Sequence, residues 1–175
     1  MNSPHLSGWP RAALILSAVL ALAACGGPET ASRPPMYQNL AEVSGDLDEA
    51  EALKIINAYR ANNGVGPVAL DDRLTALARV YARDLATKAG ASPTIRPDGK
   101  LDARLAAAGY SQAEVEESVT AGYYTLAEAF SGWRDSAPHR AAMLMPAATD
   151  MGIAAAYLAN TKYKVYWVLV MAKPA

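Results

Sequence analysis

From residue 47 onward, apolar positions recur at helical spacing in four stretches before the pattern turns β-like near the C-terminus. Leu53, Ile56 and Tyr59 to Arg60 fall on one face, and Asn62-Asn63-Gly64 halts the run, predicting a helix from about Leu47 to Asn62. Asp46 with Glu49 three residues on resembles a capping box for its start. Asp71 is placed to cap a second helix in which Leu74, Leu77, Ala78, Tyr81 and Leu85 make one apolar stripe, ended by Gly90. Ser92 to Gly99, broken by Pro93 and Pro97, reads as a loop, and Leu101 to Ala108 as a short helix closed by Gly109. Thr125 and Glu128 form a second capping-box pattern, opening a helix through Trp133. Gly152 to Ala159 and Tyr163 to Met171 are β-rich and separated by Asn160-Thr161-Lys162, which predicts a hairpin. Helices first and an antiparallel pair last indicate an α+β domain.

The first 45 residues do not belong to this pattern. Arg11 precedes an apolar run from Ala12 to Leu22 that is short for a bilayer span, and Leu22-Ala23-Ala24-Cys25 then looks like a bacterial lipoprotein signal box. The expected processing removes residues 1–24 and acylates Cys25, anchoring the chain to a membrane through more than one acyl chain. An ordinary secretory signal in which Cys25 is incidental is the alternative. Gly26 after the cysteine, by resemblance to Gram-negative lipoproteins, points to the outer membrane, facing the periplasm. Residues 25–45, with Pro28, Pro34 and Pro35 among small and polar residues, read as a tether, leaving 46–175 as one domain. Cys25 is the one cysteine of the 175 residues, so no internal disulfide is available. A net charge of −1 without a Lys/Arg cluster argues against nucleic acid as partner.

Candidate chemistry centres on Trp133-Arg-Asp-Ser-Ala-Pro-His-Arg140. His139 is one of two histidines, and the other, His5, lies in the signal segment. The Ser136-Ala137-Pro138 start predicts that the Ser136 hydroxyl caps a helix with His139 in its first turn, where the helix dipole favours a neutral ring. Such a ring is able to accept a proton or bind a metal. The alternative is a histidine that caps backbone or packs against Trp133. Trp133 and Trp167 read as core, each in step with apolar neighbours, and Glu128 as a capping-box residue. Glu114 and Glu116 read as facing water.

The segments Ile55-Ile56-Asn57-Ala58-Tyr59-Arg60, Leu74 to Ala86, Arg104-Leu105 with Ala108-Gly109-Tyr110, Glu117 to Gly122, the Trp133–Arg140 octapeptide and Met151-Gly152-Ile153 stand in an order that resembles bacterial members of the CAP superfamily. This is the SCP domain of cysteine-rich secretory, antigen-five and pathogenesis-related proteins. The resemblance covers Leu47 to Lys173, and Trp-x-x-Ser-x-x-His-Arg is its most specific element. It implies a three-layer α-β-α sandwich with a central antiparallel sheet and a cleft on one side.

Many members of that family carry two histidines and two glutamates in the cleft, in some cases with a divalent metal. By the resemblance, Glu117 and His139 keep two of the four positions, while Thr94 and Ser136 stand where the other histidine and glutamate would be. Two ligands suit at most weak divalent-metal binding, so no cofactor is expected. The retained pair is instead expected to share a hydrogen bond, serving structure or general-base work. Ser118, Ser136 and Thr94 are nucleophile candidates on the resemblance alone, Ser136 being better explained as a cap and Thr94 as filling the missing histidine's space. Tyr123 and Tyr124 are placed at the cleft edge as a contact surface. Two functions stay open: a non-enzymatic envelope lipoprotein whose cleft binds a lipid, glycan or protein partner, and a weak hydrolase, most plausibly a peptidase, using His139 and Glu117.

Overall fold

A computed structural model describes residues 33–42, 47–88 and 95–175. Cys25 and the signal segment, the Asp46 capping position and Thr94 lie outside the described residues. Five α-helices and a four-stranded sheet are formed among those described, in the order α1 (Glu49–Asn62), β1 (Ala69–Leu70), α2 (Asp72–Lys88), α3 (Leu101–Ala107), β2 (Gln112–Ala121), α4 (Leu126–Asp135), α5 (Ala137–Met143), β3 (Asp150–Tyr157) and β4 (Val165–Pro174).

The helix starts follow local polar chemistry. The Asp48 carboxylate accepts the Glu51 N–H and opens α1 at Glu49, two residues later than the apolar spacing predicts. Asp71 accepts from the Arg73 and Leu74 amides at the head of α2, as expected. The Thr125–Glu128 capping box is complete, with each side chain bonded to the other's main chain. The α3 helix stops at Ala107, one residue short of the expected end, and Gly109 takes the left-handed φ of 65° that lets the chain turn away.

The sheet runs β1-β3-β4-β2. The expected hairpin is present as antiparallel β3 and β4, with strands that extend further than the pattern showed and a wider turn in which Lys164 adopts φ 62°. Two further strands were not among the expected elements. The ten-residue β2 pairs antiparallel with β4 and forms an edge. The two-residue β1 pairs parallel to β3, so the sheet is not purely antiparallel as expected.

Each residue of β4 from Val165 to Ala172 is buried, because helices cover both faces of this central strand. Val165, Trp167, Leu169 and Met171 join a core with α1, α4 and α5, whereas Tyr166, Val168, Val170 and Ala172 join one with α2 and α3. This is the three-layer sandwich. Gly152 on β3 lies directly against α2: a Cβ there would overlap the Leu74 main chain. Residues 33–42, assigned to the tether by composition, contribute to the first core as well. Leu40 is 3% exposed and donates its N–H to the Tyr124 carbonyl.

Candidate functional site

Strand alternation separates the two retained family positions. Along β2, Val115, Val119 and Ala121 pack on the α2/α3 side, so Glu117 points the same way. Thr120 points to the opposite side, where its hydroxyl accepts the Trp133 indole N–H at 3.1 Å. His139 stands on α5, in the layer of α1 and α4. The expected Glu117–His139 hydrogen bond is therefore not formed.

The carboxylate of Glu117 is paired with Arg104, which donates to its Oε1 at 2.6 Å. The same guanidinium donates through Nη1 to Asp98 and stacks 3.7 Å above the centre of the Tyr81 ring. Tyr81 in turn accepts the Asp98 N–H at 3.1 Å. The Glu117 side chain is only 3% exposed, and its Oε2 has no partner among the described residues. Burial raises the Glu117 pKa, an effect only partly offset by the hydrogen bond and charge of Arg104. For Arg104, burial opposes the charge but the bonds to Asp98 and Glu117 outweigh it, so the guanidinium stays protonated. Burial and the neighbouring carboxylates push the Tyr81 hydroxyl up to about 12. Hydrophobic periodicity gives no hint of this network, because it joins a loop, two helices and a strand. The only sequence signals are a lone arginine on α3 and the tyrosine within the apolar stripe of α2.

His139 occurs in the first turn of α5, as expected, but Ser136 does not cap it. The Ser136 carbonyl accepts the Arg140 N–H and its own N–H is used by Gly132, with the hydroxyl making no cap bond. The imidazole is half-buried, and burial alone lowers its pKa, with no hydrogen bond or charge contributing. It lines an open groove of about 430 Å³ together with residues 95–97, Val119, Thr120 and Ala121 of β2, Tyr123 and Tyr163.

The two cleft-edge tyrosines differ in role. Tyr123 lines the groove and lays its ring against Gly132 of α4, where a side chain would collide with it. Its carbonyl accepts the Trp167 indole N–H at 2.9 Å. Tyr124 is committed to structure, its N–H bonded to Glu128 and its carbonyl to Leu40. Trp133 and Trp167 are fully buried and meet edge to face at 5.9 Å, which confirms them as core. Arg96 and Tyr163 are groove residues that the sequence did not single out.

A divalent metal does not fit this arrangement. Glu117 Oε1 already holds a guanidinium, His139 is on the other side of the sheet, and no group of three or more His, Cys, Asp or Glu converges among the described residues.

A family model described as the cysteine-rich secretory protein family, CAP, matches residues 53–171. Among solved structures, the chain is similar to an extracellular protein containing an SCP domain from Bacillus anthracis, at 18% identity and a TM-score of 0.59, covering 71% of this chain and 39% of that one. It is also similar to a cysteine-rich secretory protein from Staphylococcus aureus, at 16% identity and a TM-score of 0.56, covering 79% and 41%. An outer surface protein from Borrelia burgdorferi matches at 20% identity and a TM-score of 0.61, over 75% of this chain and 99% of that one. The chain thus spans about two-fifths of the first two proteins. No curated protein matches it.

Proposed function

The chain belongs to the cysteine-rich secretory protein (CAP) family, and we propose that it is a binding protein of the bacterial envelope rather than an enzyme. The observation that carries this reading is the ion pair of Glu117 with Arg104, which removes from His139 the carboxylate that would orient it as a general base. What remains at His139 is a groove with aromatic walls, one cation and a neutral imidazole, a composition suited to holding a ligand. A weak hydrolase using His139 with Glu117 would require the two to meet, and they lie on opposite faces of the sheet.

The lipobox reading of Leu22 to Cys25 supports a lipid anchor, and Gly26 after the cysteine favours the outer membrane, facing the periplasm. Arg33 is eight peptide steps from Cys25, at most about 28 Å of chain, so an anchored domain stays close to the bilayer surface. Its ligand, whether lipid, glycan or protein, is met there. Among the described residues no helix is long and apolar enough to cross a membrane.

Two experiments test these parts separately. Cys25→Ser is expected to abolish acylation and move the protein out of the membrane fraction; unchanged mass and partition would remove the anchor. Peptide and ester hydrolysis by the wild type, lost in both His139→Ala and Glu117→Gln without loss of melting temperature, would replace the binding reading with the enzymatic one.

A further inference from the structure

The groove beside His139 is built from chain that is nearly free of carboxylates. Residues 118–127, 136–149 and 151–175 contain neither Asp nor Glu, and from them come its β2 wall, Tyr123, His139 and Tyr163. The remaining wall is the 95–97 segment. There Arg96 also borders a second hollow with Asp84 and Asp98, but both acids are engaged, Asp84 by Lys88 at 2.8 Å and Asp98 by Arg104. Glu117, just before the groove's stretch of β2, is buried and held by Arg104 as well. Among the described residues, no uncompensated negative charge lines the groove.

Hydrogen-bond donors, by contrast, line the same space without acceptors. Arg96 is exposed and forms no ion pair or hydrogen bond among the described residues, which leaves its fork of N–H groups available. Thr120 is used only as an acceptor: its hydroxyl oxygen takes the Trp133 indole N–H at 3.1 Å, and its own O–H donates to no described group. Because Trp133 is fully buried, that bond cannot be exchanged for one to water, and accepting it polarises the hydroxyl into a stronger donor toward the groove. Lys162 holds its ammonium 5.0 Å from the centre of the Tyr163 ring, itself a wall of the groove, and has no carboxylate partner among the described residues. Burial keeps the His139 imidazole neutral, with one N–H to donate.

Donors on three separate segments with no carboxylate to oppose them make a receptor for an anion. A carboxylate would be satisfied by Arg96 alone, through two coplanar oxygens, whereas a tetrahedral phosphate presents oxygens to donors arriving from different directions. The groove, at about 430 Å³, is far larger than the anion, and Ile95, Pro97, Tyr123 and Tyr163 give it apolar surface for an attached body. We infer that the groove binds a phosphate ester, its phosphate held by Arg96, the Thr120 hydroxyl and Lys162 and its organic body laid against Tyr123 and Tyr163. This names the ligand class of the binding site proposed above and rests on that reading. A soluble phosphate ester and the headgroup of a phospholipid share this chemistry, and the test separates them.

The full chain, held in a phosphate-free maltoside detergent, is titrated calorimetrically with phenyl phosphate, and with benzoate and benzyl alcohol as the carboxylate and neutral matches of the same ring. Salt is kept at about 150 mM, where exposed charges are screened beyond about 8 Å and loose ion pairing is suppressed. Phenyl phosphate is expected to bind at one site, at least about tenfold more tightly than either match, the effect of adding charge-assisted hydrogen bonds. Arg96→Gln is expected to lower its affinity at least about tenfold with the melting temperature unchanged, because the exposed guanidinium has no partner to lose. Thr120→Val also strips Trp133 of its acceptor, so Thr120→Ser is the control that keeps the hydroxyl: the valine variant is expected to lose binding and the serine variant to retain it. Displacement of phenyl phosphate by glycerol 3-phosphate assigns a soluble ester, and displacement only by phosphatidylglycerol dispersed in the same micelles assigns a lipid headgroup; displacement by neither overturns the inference. Equal affinity for benzoate or benzyl alcohol, or affinity unchanged in Arg96→Gln, overturns it too. If no phosphate ester binds but the chain carries a phosphate-free adduct from its own envelope that His139→Trp abolishes, the phosphate is wrong and the groove remains a binding site; with no adduct of any class, both readings fail.

Discussion

Replacing Arg104 by Met breaks its contacts with Glu117, Asp98 and Tyr81, and should cost stability mainly through the most buried of them, the Glu117 carboxylate. In the wild type this carboxylate is 3% exposed and bonded at 2.6 Å to the guanidinium, with its second oxygen already unpartnered. Met fills much of the stem's volume, so the main loss is electrostatic, and leaving a buried charge alone costs about 3–5 kcal/mol. The protein has one escape, which is to protonate Glu117. From an ordinary value of 4.5, protonation at pH 7 costs about 3.4 kcal/mol at 1.36 kcal/mol per pH unit, and this caps the penalty. At pH 5 the same step costs about 0.7 kcal/mol, so most of the defect of Arg104→Met should vanish on acidification. Glu117→Gln alone should cost less, about 1.5–3 kcal/mol, and added to Arg104→Met it should cost little further, giving a coupling of about 1–3 kcal/mol. The pair Glu117→Gln and His139→Ala should by contrast be additive within about 0.5 kcal/mol. Urea unfolding of the singles and both doubles at pH 7 and 5 measures all of this. Additivity of the Arg104 cycle, or strong coupling of the His139 cycle, would refute the assignment of Glu117 to Arg104.

Gly152→Ala places a Cβ against the Leu74 main chain, which cannot yield as a side chain would, and should cost about 1–3 kcal/mol or more in urea unfolding. Arg60→Lys should fail to replace a fully buried guanidinium that donates to the carbonyls of Gly66, Met143, Met145 and Ala148, lowering stability by at least about 2 kcal/mol; a neutral result would show the fork to be dispensable. His139 has a folded pKa below its ordinary 6.5, so the unfolded chain binds the proton first and His139 contributes stability that is lost as pH falls through and below 6.5. His139→Gln should flatten the stability profile in that window, and an unchanged slope would show the imidazole to be freely solvated.

The helices were legible because their information is local. Asp71, Thr125 with Glu128, and the Leu74 to Leu85 stripe each fix an element through neighbours a few residues away. Strand β2 was not legible. Its sequence does alternate, with Ala113, Val115, Val119 and Ala121 on one face, but Glu117 interrupts that face, and its place at the sheet edge depends on β4, some fifty residues on. Ser136 shows that a capping residue type at a helix start need not cap: its hydroxyl is idle while Pro138 holds an early position of α5, where no N–H is required. The family resemblance put Glu117 and His139 in one cleft, but strand alternation sends Glu117 to the far face, and Arg104, thirteen residues before it in sequence, captures it. Arg96 escaped notice because a lone arginine in a proline-containing loop carries no pattern; only the groove gives it meaning.

The central claim, that the groove beside His139 binds a ligand and does not turn one over, is tested most directly by native mass spectrometry of the full chain taken from its own envelope. Wild type should carry a non-covalent adduct that persists unchanged on incubation and is absent from His139→Trp, whose indole fills the groove without touching the Arg104–Glu117 pair. An adduct equally retained by His139→Trp, or one converted to product by wild type and left intact by His139→Ala, would contradict it.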